Sequence, residues 1–448
     1  MAAKVSRRKQ PETLLGRMFS NLAWLAGGKG FGAVCSLVYL AILTRSLGLK
    51  EFGHFSLIFG TSQALIALTG FDTWRTVVKY GAEHVHKQNW GALGRLGTLA
   101  GLLDAIGAMI GCVIAYVAIY QFGDVLDLNP QLVDTAFWFN VAALWALVSA
   151  PTGIVRALDR FDMAIYVEAI VPIGRLAAAA AIWLTGPSLV KFLIAWAVID
   201  LLEAAIYWAM AKYLCPDAVR LSYLRDVRTT LQENEGVVRF FGITYASATL
   251  NAAFKHGPLL AVGYFVGTKA AGLYRLAQQL AQGLGKLSTL LTRAVYTEIA
   301  RARVSSDVHE FRKLAIQTTR IAGAAGAVVV AAVVAGGGYL MELLGGEDFR
   351  GGYIILIPLT LAASFELASV AFEPVLHATG RARYSLLARL VAVVALFAML
   401  LLTTGGGVSA AAWSVSFGAA VGYLALGTLA WWTLRQMEAG TIDQKDTA

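Results

Sequence analysis

The stretch NLAWLAGGKGFGAVCSLVYLAIL, residues 21–43, is apolar and long enough to cross a lipid bilayer as one helix, since a spanning helix needs about 20 apolar residues. Lys29 lies about ten residues into this helix, roughly 15 Å from its start, and therefore close to the bilayer centre. A lysine at that depth costs about 2.5 to 3.5 kcal/mol on insertion scales. The stretch therefore predicts a membrane helix in which Lys29 has either a function or an ion-pair partner.

The composition extends this interpretation to the whole chain. Of its 448 residues 58% are hydrophobic and 15% are charged, and the mean hydropathy is +0.64, whereas soluble domains carry about 25% charged residues. We predict an all-α polytopic membrane protein with about 12 transmembrane helices. The predicted spans are 18–44, 52–78, 96–121, 131–155, 163–184, 188–211, 238–266, 271–297, 318–344, 352–378, 385–404 and 408–434.

The charge distribution predicts the orientation of these spans. The net charge of +9 would also suit a nucleic-acid partner, but lysine and arginine concentrate in alternate loops, as they do on the cytoplasmic side of membrane proteins. We expect both termini in the cytosol and no nucleic-acid partner. The predicted domains are a cytoplasmic tail at 1–17, a six-helix bundle at 18–211, a cytoplasmic linker at 212–237, a second six-helix bundle at 238–434 and a cytoplasmic tail at 435–448. Cys35, Cys112 and Cys215 have no metal-ligand spacing, so neither a metal nor a cofactor is predicted.

An internal repeat relates the two predicted bundles. LGLKEFGHFSL from Leu47 and VGTKAAGLYRL from Val266 align at an offset of 219 residues, which pairs Gly48 with Gly267 and Gly53 with Gly272. A second pair of stretches, RALDRFDMAIY and HATGRARYSLL, recurs at nearly the same offset. Because that offset spans six helices, the repeat is parallel. Two like bundles about a pseudo-two-fold axis predict a transporter with its substrate path between them.

Polar residues within the spans predict a wet, positive cavity lined by helices 1, 2, 7 and 8. The eighth span has polar side chains at steps of three and four residues, which places them on one helical face that must contact water or protein. Predicted helix 7 contains Lys255 and His256, followed by Pro258, which is expected to break its backbone hydrogen bonding. The predicted substrate-binding residues are Lys29, Lys255, Arg275, Lys286, Gln279, Gln282, His256 and Arg75. Three buried acids are candidates for ion coupling, namely Asp72, Asp104 and Glu366.

Simpler roles stay open for several of these residues. Arg75 suits an interfacial anchor, and His256 suits a satisfied core histidine. Lys29 and Lys255 would also be explained by ion pairs with Asp72 or Asp104 that only hold helices together. Arg175, which has no polar stripe around it, is interpreted as half of a structural ion pair.

The segment from Asn21 to Glu83 resembles the first two helices of Wzx-type polysaccharide flippases, which belong to the MOP exporter superfamily. The similarity rests on TRSLGLKEFGHFSL and GFDTWRTVVKYGAE, and in the second half on VGTKAAGLYRLAQQL and LHATGRARYSLLARL. It implies two rocking bundles that carry a polyprenyl-diphosphate-linked oligosaccharide to the outer leaflet of the bacterial inner membrane, for O-antigen, capsule or exopolysaccharide synthesis. It also implies contact with membrane lipid, a coupling ion (H⁺ or Na⁺), and polymerase or export proteins as partners. A cationic cavity fits this substrate, because guanidinium and ammonium groups satisfy a diphosphate.

Three other classes of protein compete with this interpretation. A cation or drug antiporter of the same superfamily would need an acidic cavity, whereas the stripe in predicted helix 8 is basic. A polysaccharide polymerase or ligase would need a large catalytic loop outside the membrane, and the outside loops are short, so we do not expect an enzyme. An ATP-driven pump would need a phosphate-binding loop, and the nearest stretch, GLGKLST at Gly283, lacks its spacing.

Overall fold

The computed structural model describes residues 14–122, 129–283, 308–379 and 381–438, while the side chains of 14–30 and of a few other helical residues lie outside that description. Within these ranges the regular elements are helices, as the all-α prediction requires. The longer ones are α1 (Leu14–Thr69), α2 (Trp74–His86), α3 (Trp90–Phe122), α4 (Val133–Trp145), α5 (Ser149–Ala157), α6 (Phe161–Glu168), α7 (Ile170–Thr185), α8 (Leu189–Leu214), α9 (Val227–Glu233), α10 (Val237–Val266), α11 (268–283), α12 (Val308–Gly345), α13 (Tyr353–Ala368), α14 (Phe372–Ala378), α15 (Ala382–Leu402) and α16 (Gly407–Glu438).

Eight stretches of the described residues are long and apolar enough to cross a membrane. Large apolar side chains on the helices are also strongly exposed, among them Leu184 at 78% and Leu402 at 83%. Apolar surface on this scale is unfavourable in water and favourable in lipid. The protein is therefore a multi-pass membrane protein. The count of twelve stays a prediction, because the stretch Phe31–Thr69 overlaps two predicted spans and the eight stretches do not include α8, α10 or α11.

The internal repeat is visible in the backbone at its two matched glycines. Gly48 divides α1 into two helical arms with φ 71° and ψ 176°, and Gly267 separates α10 from α11 with φ 100° and ψ 177°. Only glycine adopts such angles without steric cost. Equivalent positions of the repeat thus make the same turn, which supports the alignment of the two halves. We call α1–α8 (14–214) the first half and α10–α16 (237–438) the second half.

Several predicted spans contain a break in the helix. The helix predicted at 52–78 stops at Thr69, and the chain passes through left-handed angles at Phe71 and Asp72 before α2 begins. The predictions at 131–155, 163–184 and 352–378 each correspond to two shorter helices. Conversely, α10 continues through Pro258, so the backbone hydrogen bond that proline cannot donate does not end the helix. At the break before α2, Thr73 Oγ1 donates to Asp104 and to Ser149, and apolar periodicity does not reveal contacts between residues so far apart in sequence.

The segment predicted as a linker folds against the first half. Its backbone approaches α3 so closely that a Cβ on Gly94 would lie 2.5 Å from the carbonyl oxygen of Asp217. Arg95 forms a two-pronged ion pair with Glu233 of α9, whose Nε–Oε2 distance is 2.9 Å. His84 Nε2 and Asn234 Oδ1 are 2.9 Å apart. These contacts fix α9 to the first half, and α10 begins directly after the left-handed Gly236.

Candidate functional site

A cavity, which we call the large cavity, lies within the second half. It has a volume of about 530 Å³ and is enclosed by α10, α11, α13, α14, α15 and α16. That volume is in the range of small-molecule sites, which also combine apolar walls with a few polar groups. Its polar and charged lining residues are Asn251, Lys255, Gln278, Gln282, Glu366, Ser369, Glu373, Arg389 and Tyr423. Of the predicted site residues, the cavity thus contains Lys255, Gln282 and Glu366.

Two features of this cavity differ from those predicted for the cavity between the bundles. Neither α1 nor α2, which together contain nearly all of predicted helices 1 and 2, contributes a described residue to its wall. Predicted helices 1 and 2 were expected to line the cavity. Its described charged residues are also balanced, with Lys255 and Arg389 against Glu366 and Glu373, so its wall is not uniformly cationic. The first difference arises because α1 packs directly on α11, which closes the space between the halves along the contact.

The carboxylates of the large cavity have different surroundings. Arg389 on α15 pairs with Glu373 on α14, with 2.5 Å between Nη2 and Oε1. Glu366, near the end of α13, is an exposed residue whose surface faces the cavity. Within the described part of the chain, no hydrogen bond or ion pair involves the Glu366 carboxylate. Glu366 is therefore the acid that is best placed to bind a cation or a hydrogen-bond donor in the cavity.

The polar stripe predicted on the eighth span, which begins with α11 in the structure, is divided between two cavities. Gln278 and Gln282 line the large cavity. Arg275 and Gln279 line a second cavity of about 30 Å³, which α1, α7 and α8 complete. Hydrogen bonds connect residues of the two cavities. Arg275 Nη1 donates to Gln278 Oε1 at 3.1 Å, and Gln278 Nε2 donates to the Lys255 carbonyl at 2.7 Å. The sequence pattern placed these side chains on one face, and the structure divides that face.

The small cavity contains a second arginine, which belongs to the first half. Arg175 on α7 forms the predicted ion pair, with Nη2 at 2.7 Å from Oδ1 of Asp200 on α8. The guanidinium carbon of Arg175 lies 5.5 Å from the ring centroid of Phe59, and that of Arg275 lies 5.3 Å from the same centroid. Two cations from different halves thus share one aromatic ring.

Four predicted site residues lie outside both cavities. His256 is buried in α10, with no hydrogen-bond partner for Nδ1 among the described atoms. Arg75 pairs with Asp72 at 2.8 Å and is half exposed, as an interfacial anchor would be. Asp104 is buried and accepts hydrogen bonds from Thr73 Oγ1 at 2.8 Å and from the Ala150 backbone N–H at 2.7 Å. These contacts give Asp104 a structural role in holding the start of α5 and the residue before α2.

Two of the lysines predicted for the site have side chains outside the part of the chain that the structure describes. The side chain of Lys29 and the whole of Lys286 lie outside the described residues. Three residues that line the large cavity were not predicted from the sequence, namely Asn251, Arg389 and Tyr423. Asn251 and Arg389 carried a usable signal, since Asn251 precedes Lys255 by one helical turn and Arg389 is a charge within a predicted span.

Comparison with known proteins defines first the class of fold. A multidrug resistance MATE family transporter of the MOP superfamily, in an inward-facing conformation, superposes with a TM-score of 0.73 at 13% identity, covering 92% of this chain and 96% of that one. The lipid II flippase MurJ, in an inward closed conformation, gives a TM-score of 0.70 at 10% identity, over 93% and 90% of the two chains. The chain therefore has the fold of MOP-superfamily transporters.

Sequence comparison then defines the family. Residues 18–303 match the family described as polysaccharide biosynthesis protein. The chain belongs to that family, which confirms the resemblance drawn from its repeated motifs. Inner membrane protein YghQ of Escherichia coli (strain K12) is 25% identical over 342 residues, which cover 74% of this chain and 94% of that protein.

Proposed function

We propose that the protein moves a polyprenyl-diphosphate-linked oligosaccharide from the cytoplasmic to the outer leaflet of the bacterial inner membrane. Its family supports a role in polysaccharide biosynthesis, and its fold is that of proteins that alternate access between the two sides of a membrane. The observation that carries the proposal is Arg275, a buried guanidinium where the halves meet, whose described polar contact is with the neutral side chain of Gln278. A buried, unneutralised arginine is suited to bind an anionic head group.

The substrate path follows from the two cavities. The diphosphate contacts Arg275 and Gln279 on one side of α11, while Lys255, Gln278 and Gln282 offer donors on the other side. Lys29 and Lys286 extend this set on predicted helices 1 and 8. The predicted bundles at 18–211 and 238–434 rock against each other, with both termini in the cytosol. The lipid chain stays in the bilayer. An inside-negative potential favours outward movement of the anion by about 2.3 kcal/mol per charge per 100 mV.

Reconstitution tests this function directly. Proteoliposomes containing the purified protein and a fluorescent polyprenyl-diphosphate-linked N-acetylhexosamine should expose the sugar of inner-leaflet lipids, as the acceptor, to a membrane-impermeant galactosyltransferase supplied with UDP-galactose outside. We expect Arg275→Gln to lose most of this exposure and His256→Gln, a neighbour of Lys255 outside both cavities, to keep it. Transfer no faster than in protein-free liposomes would refute the function.

Glu366, whose carboxylate forms no hydrogen bond or ion pair among the described residues, favours a second candidate, a cation or drug antiporter of the same superfamily. A carboxylate that faces a cavity lined by Phe254, Phe365 and Tyr423 suits an organic cation. In the same proteoliposomes, uptake of ethidium driven by a proton or sodium gradient, with no movement of the lipid-linked sugar, would establish the antiporter. The same carboxylate, with Asp72 and Asp104 as the other candidates, serves ion coupling in the flippase.

A further inference from the structure

One aromatic ring holds a cation from each half of the chain. The guanidinium carbons of Arg175 and Arg275 lie 5.5 Å and 5.3 Å from the Phe59 centroid, so they are no farther apart than the sum of these distances. Like charges within this distance repel each other, and they do so more in a protein interior than in water, because the interior screens them less. Packing of the two halves brings these charges together, and an arrangement of this kind needs a compensating negative charge.

Asp200 compensates only one of the two cations. Both of its oxygens accept from Arg175 Nη2, at 2.7 Å and 2.9 Å. Arg275 is only 7% exposed, and none of the carboxylates in the described ranges forms an ion pair with it. Arg175 Nε is also buried, and it has no acceptor within the described part of the chain. Among the described residues, the ion pairs at this point therefore leave the Arg275 guanidinium without a paired carboxylate and one Arg175 donor unused.

The space between the two arginines is closed in this conformation. The cavity that they line with Tyr39 and Gln279 measures about 30 Å³, which is room for a water molecule or a single small ion. Phe52 also lines it, and the next residue, Gly53, is in backbone contact with Thr268 of the second half. Separation of the halves at Gly53 would therefore enlarge this cavity.

We propose that Arg175 and Arg275 form an anion site shared by the two halves, which binds the phosphates of the transported head group as the halves separate. This inference rests on the proposed function and adds Arg175 to the binding residues. Two guanidinium groups match a diphosphate in charge and in hydrogen-bond geometry. Asp200 orients Arg175 until the phosphates arrive. Because the closed cavity of about 30 Å³ has no room for a diphosphate, the head group binds only the separated state and shifts the equilibrium toward it.

The alternative is that Arg175 and Asp200 form an ion pair that only joins α7 to α8. Substitutions distinguish the two roles when binding is measured on the purified full-length protein in nanodiscs, with polyprenyl diphosphate, polyprenol and inorganic pyrophosphate as probes. A purely structural pair predicts that Arg175→Gln and Asp200→Asn are equally harmful and that exchange of the two residues (Arg175→Asp with Asp200→Arg) restores the wild type. The anion site predicts a different pattern.

We expect Arg175→Gln and Arg275→Gln each to weaken polyprenyl diphosphate binding by about tenfold or more, which corresponds to at least 1.4 kcal/mol. Asp200→Asn should keep or strengthen it, and the exchanged pair should not restore it. Arg175→Lys retains the ion pair but not the planar fork, so it should keep the thermal stability of the wild type and still bind more weakly. Arg156 and Glu168, paired at 2.8 Å away from both cavities, provide the matched control. Arg156→Gln should leave binding unchanged.

The outcomes separate this inference from the function on which it rests. Wild-type binding in Arg175→Gln, together with weak binding in Arg275→Gln, would overturn the shared site and leave the flippase intact. Rescue by the exchanged pair would do the same. Equal wild-type affinity for polyprenyl diphosphate and polyprenol would refute the flippase and the site together. If pyrophosphate binds as tightly as polyprenyl diphosphate and the polyprenyl probe does not displace it, the site binds free phosphate and its assignment to the cargo is wrong.

Discussion

Gly53 and Gly272 are in backbone contact where the two halves of the chain meet. A Cβ on Gly272 would lie 3.2 Å from the Cα of Gly53, and a Cβ on Gly53 would lie 2.1 Å from the carbonyl oxygen of Thr268. The two glycines are separated by the same 219 residues as Gly48 and Gly267, so equivalent positions of the repeat touch each other. Helices approach this closely only where side chains are absent.

Substitution of Gly53 should therefore disfavour the closed contact. In Gly53→Ala the added methyl group overlaps a carbonyl oxygen that belongs to the backbone and cannot rotate away. We expect the closed state to lose about 1 to 3 kcal/mol, the usual cost of overpacking. Labelling of a cysteine at Leu344, whose carbonyl accepts a hydrogen bond from Thr44 across the same contact, should become faster.

Gly32 provides the control on the same helix. A Cβ there would meet its nearest atom, on Pro172, at 3.5 Å, an ordinary contact. Gly32→Ala should be neutral or should stabilise α1 by about 0.5 to 1 kcal/mol, because alanine loses less backbone freedom on folding. Equal labelling rates in the two variants would show that the Gly53 contact does not control opening.

Asp104 should behave as a structural residue. Its carboxylate accepts hydrogen bonds from Thr73 and from the Ala150 N–H, so Asp104→Ala leaves buried donors unpaired and should cost about 1 to 3 kcal/mol of stability. Asp104→Asn keeps a carbonyl acceptor and should cost less. Thermal unfolding in detergent shows which of the two variants is less stable. An Asn variant of normal stability whose transport ignores ion gradients would instead assign Asp104 to ion coupling.

Asp104 also shows where prediction from the sequence ends. Composition and apolar length predicted the class of fold, and the matched glycines predicted the repeat, because these signals are local in the chain. The helix breaks before α2 and α5 adjoin Thr73 and Ser149, and the hydrogen bonds of Thr73 with Ser149 and Asp104 join residues distant in sequence, so continuous spans were predicted there. Arg275 and Gln279 were predicted as cavity residues from their spacing. The partner cation, Arg175, was interpreted only as half of an ion pair, because no pattern shows that it shares Phe59 with Arg275.

Glu366 should be the acid that couples transport to an ion. Glu366→Gln removes the charge, keeps the size and disturbs no described partner, so stability should stay near that of the wild type. We expect flux that no longer responds to collapse of the proton or sodium gradient. Glu373→Gln is the matched control, since it breaks the pair with Arg389 in the same cavity and should lower stability instead. A full gradient response in Glu366→Gln would exclude this residue from coupling.

The linker, which includes α9, should move with the first half. A cross-link that joins the linker to the first half should therefore leave transport unchanged. In a variant without Cys35, Cys112 and Cys215, a short bifunctional thiol reagent between cysteines at 95 and 233 joins α3 to α9, which the Arg95–Glu233 pair already holds together. Transport should be unchanged, because no relative motion is blocked.

A cross-link between cysteines at 44 and 344 should stop transport. Thr44 Oγ1 donates to the Leu344 carbonyl at 2.8 Å, so this link ties α1 to α12 across the contact between the halves. Flux should return when a cleavable reagent is reduced, and each single cysteine treated with the reagent serves as the control for simple modification. Loss of transport with the link at 95 and 233 would mean that α9 leaves α3 during the cycle. The hinge would then lie before Val227 and not at Gly236, the left-handed residue after which α10 begins.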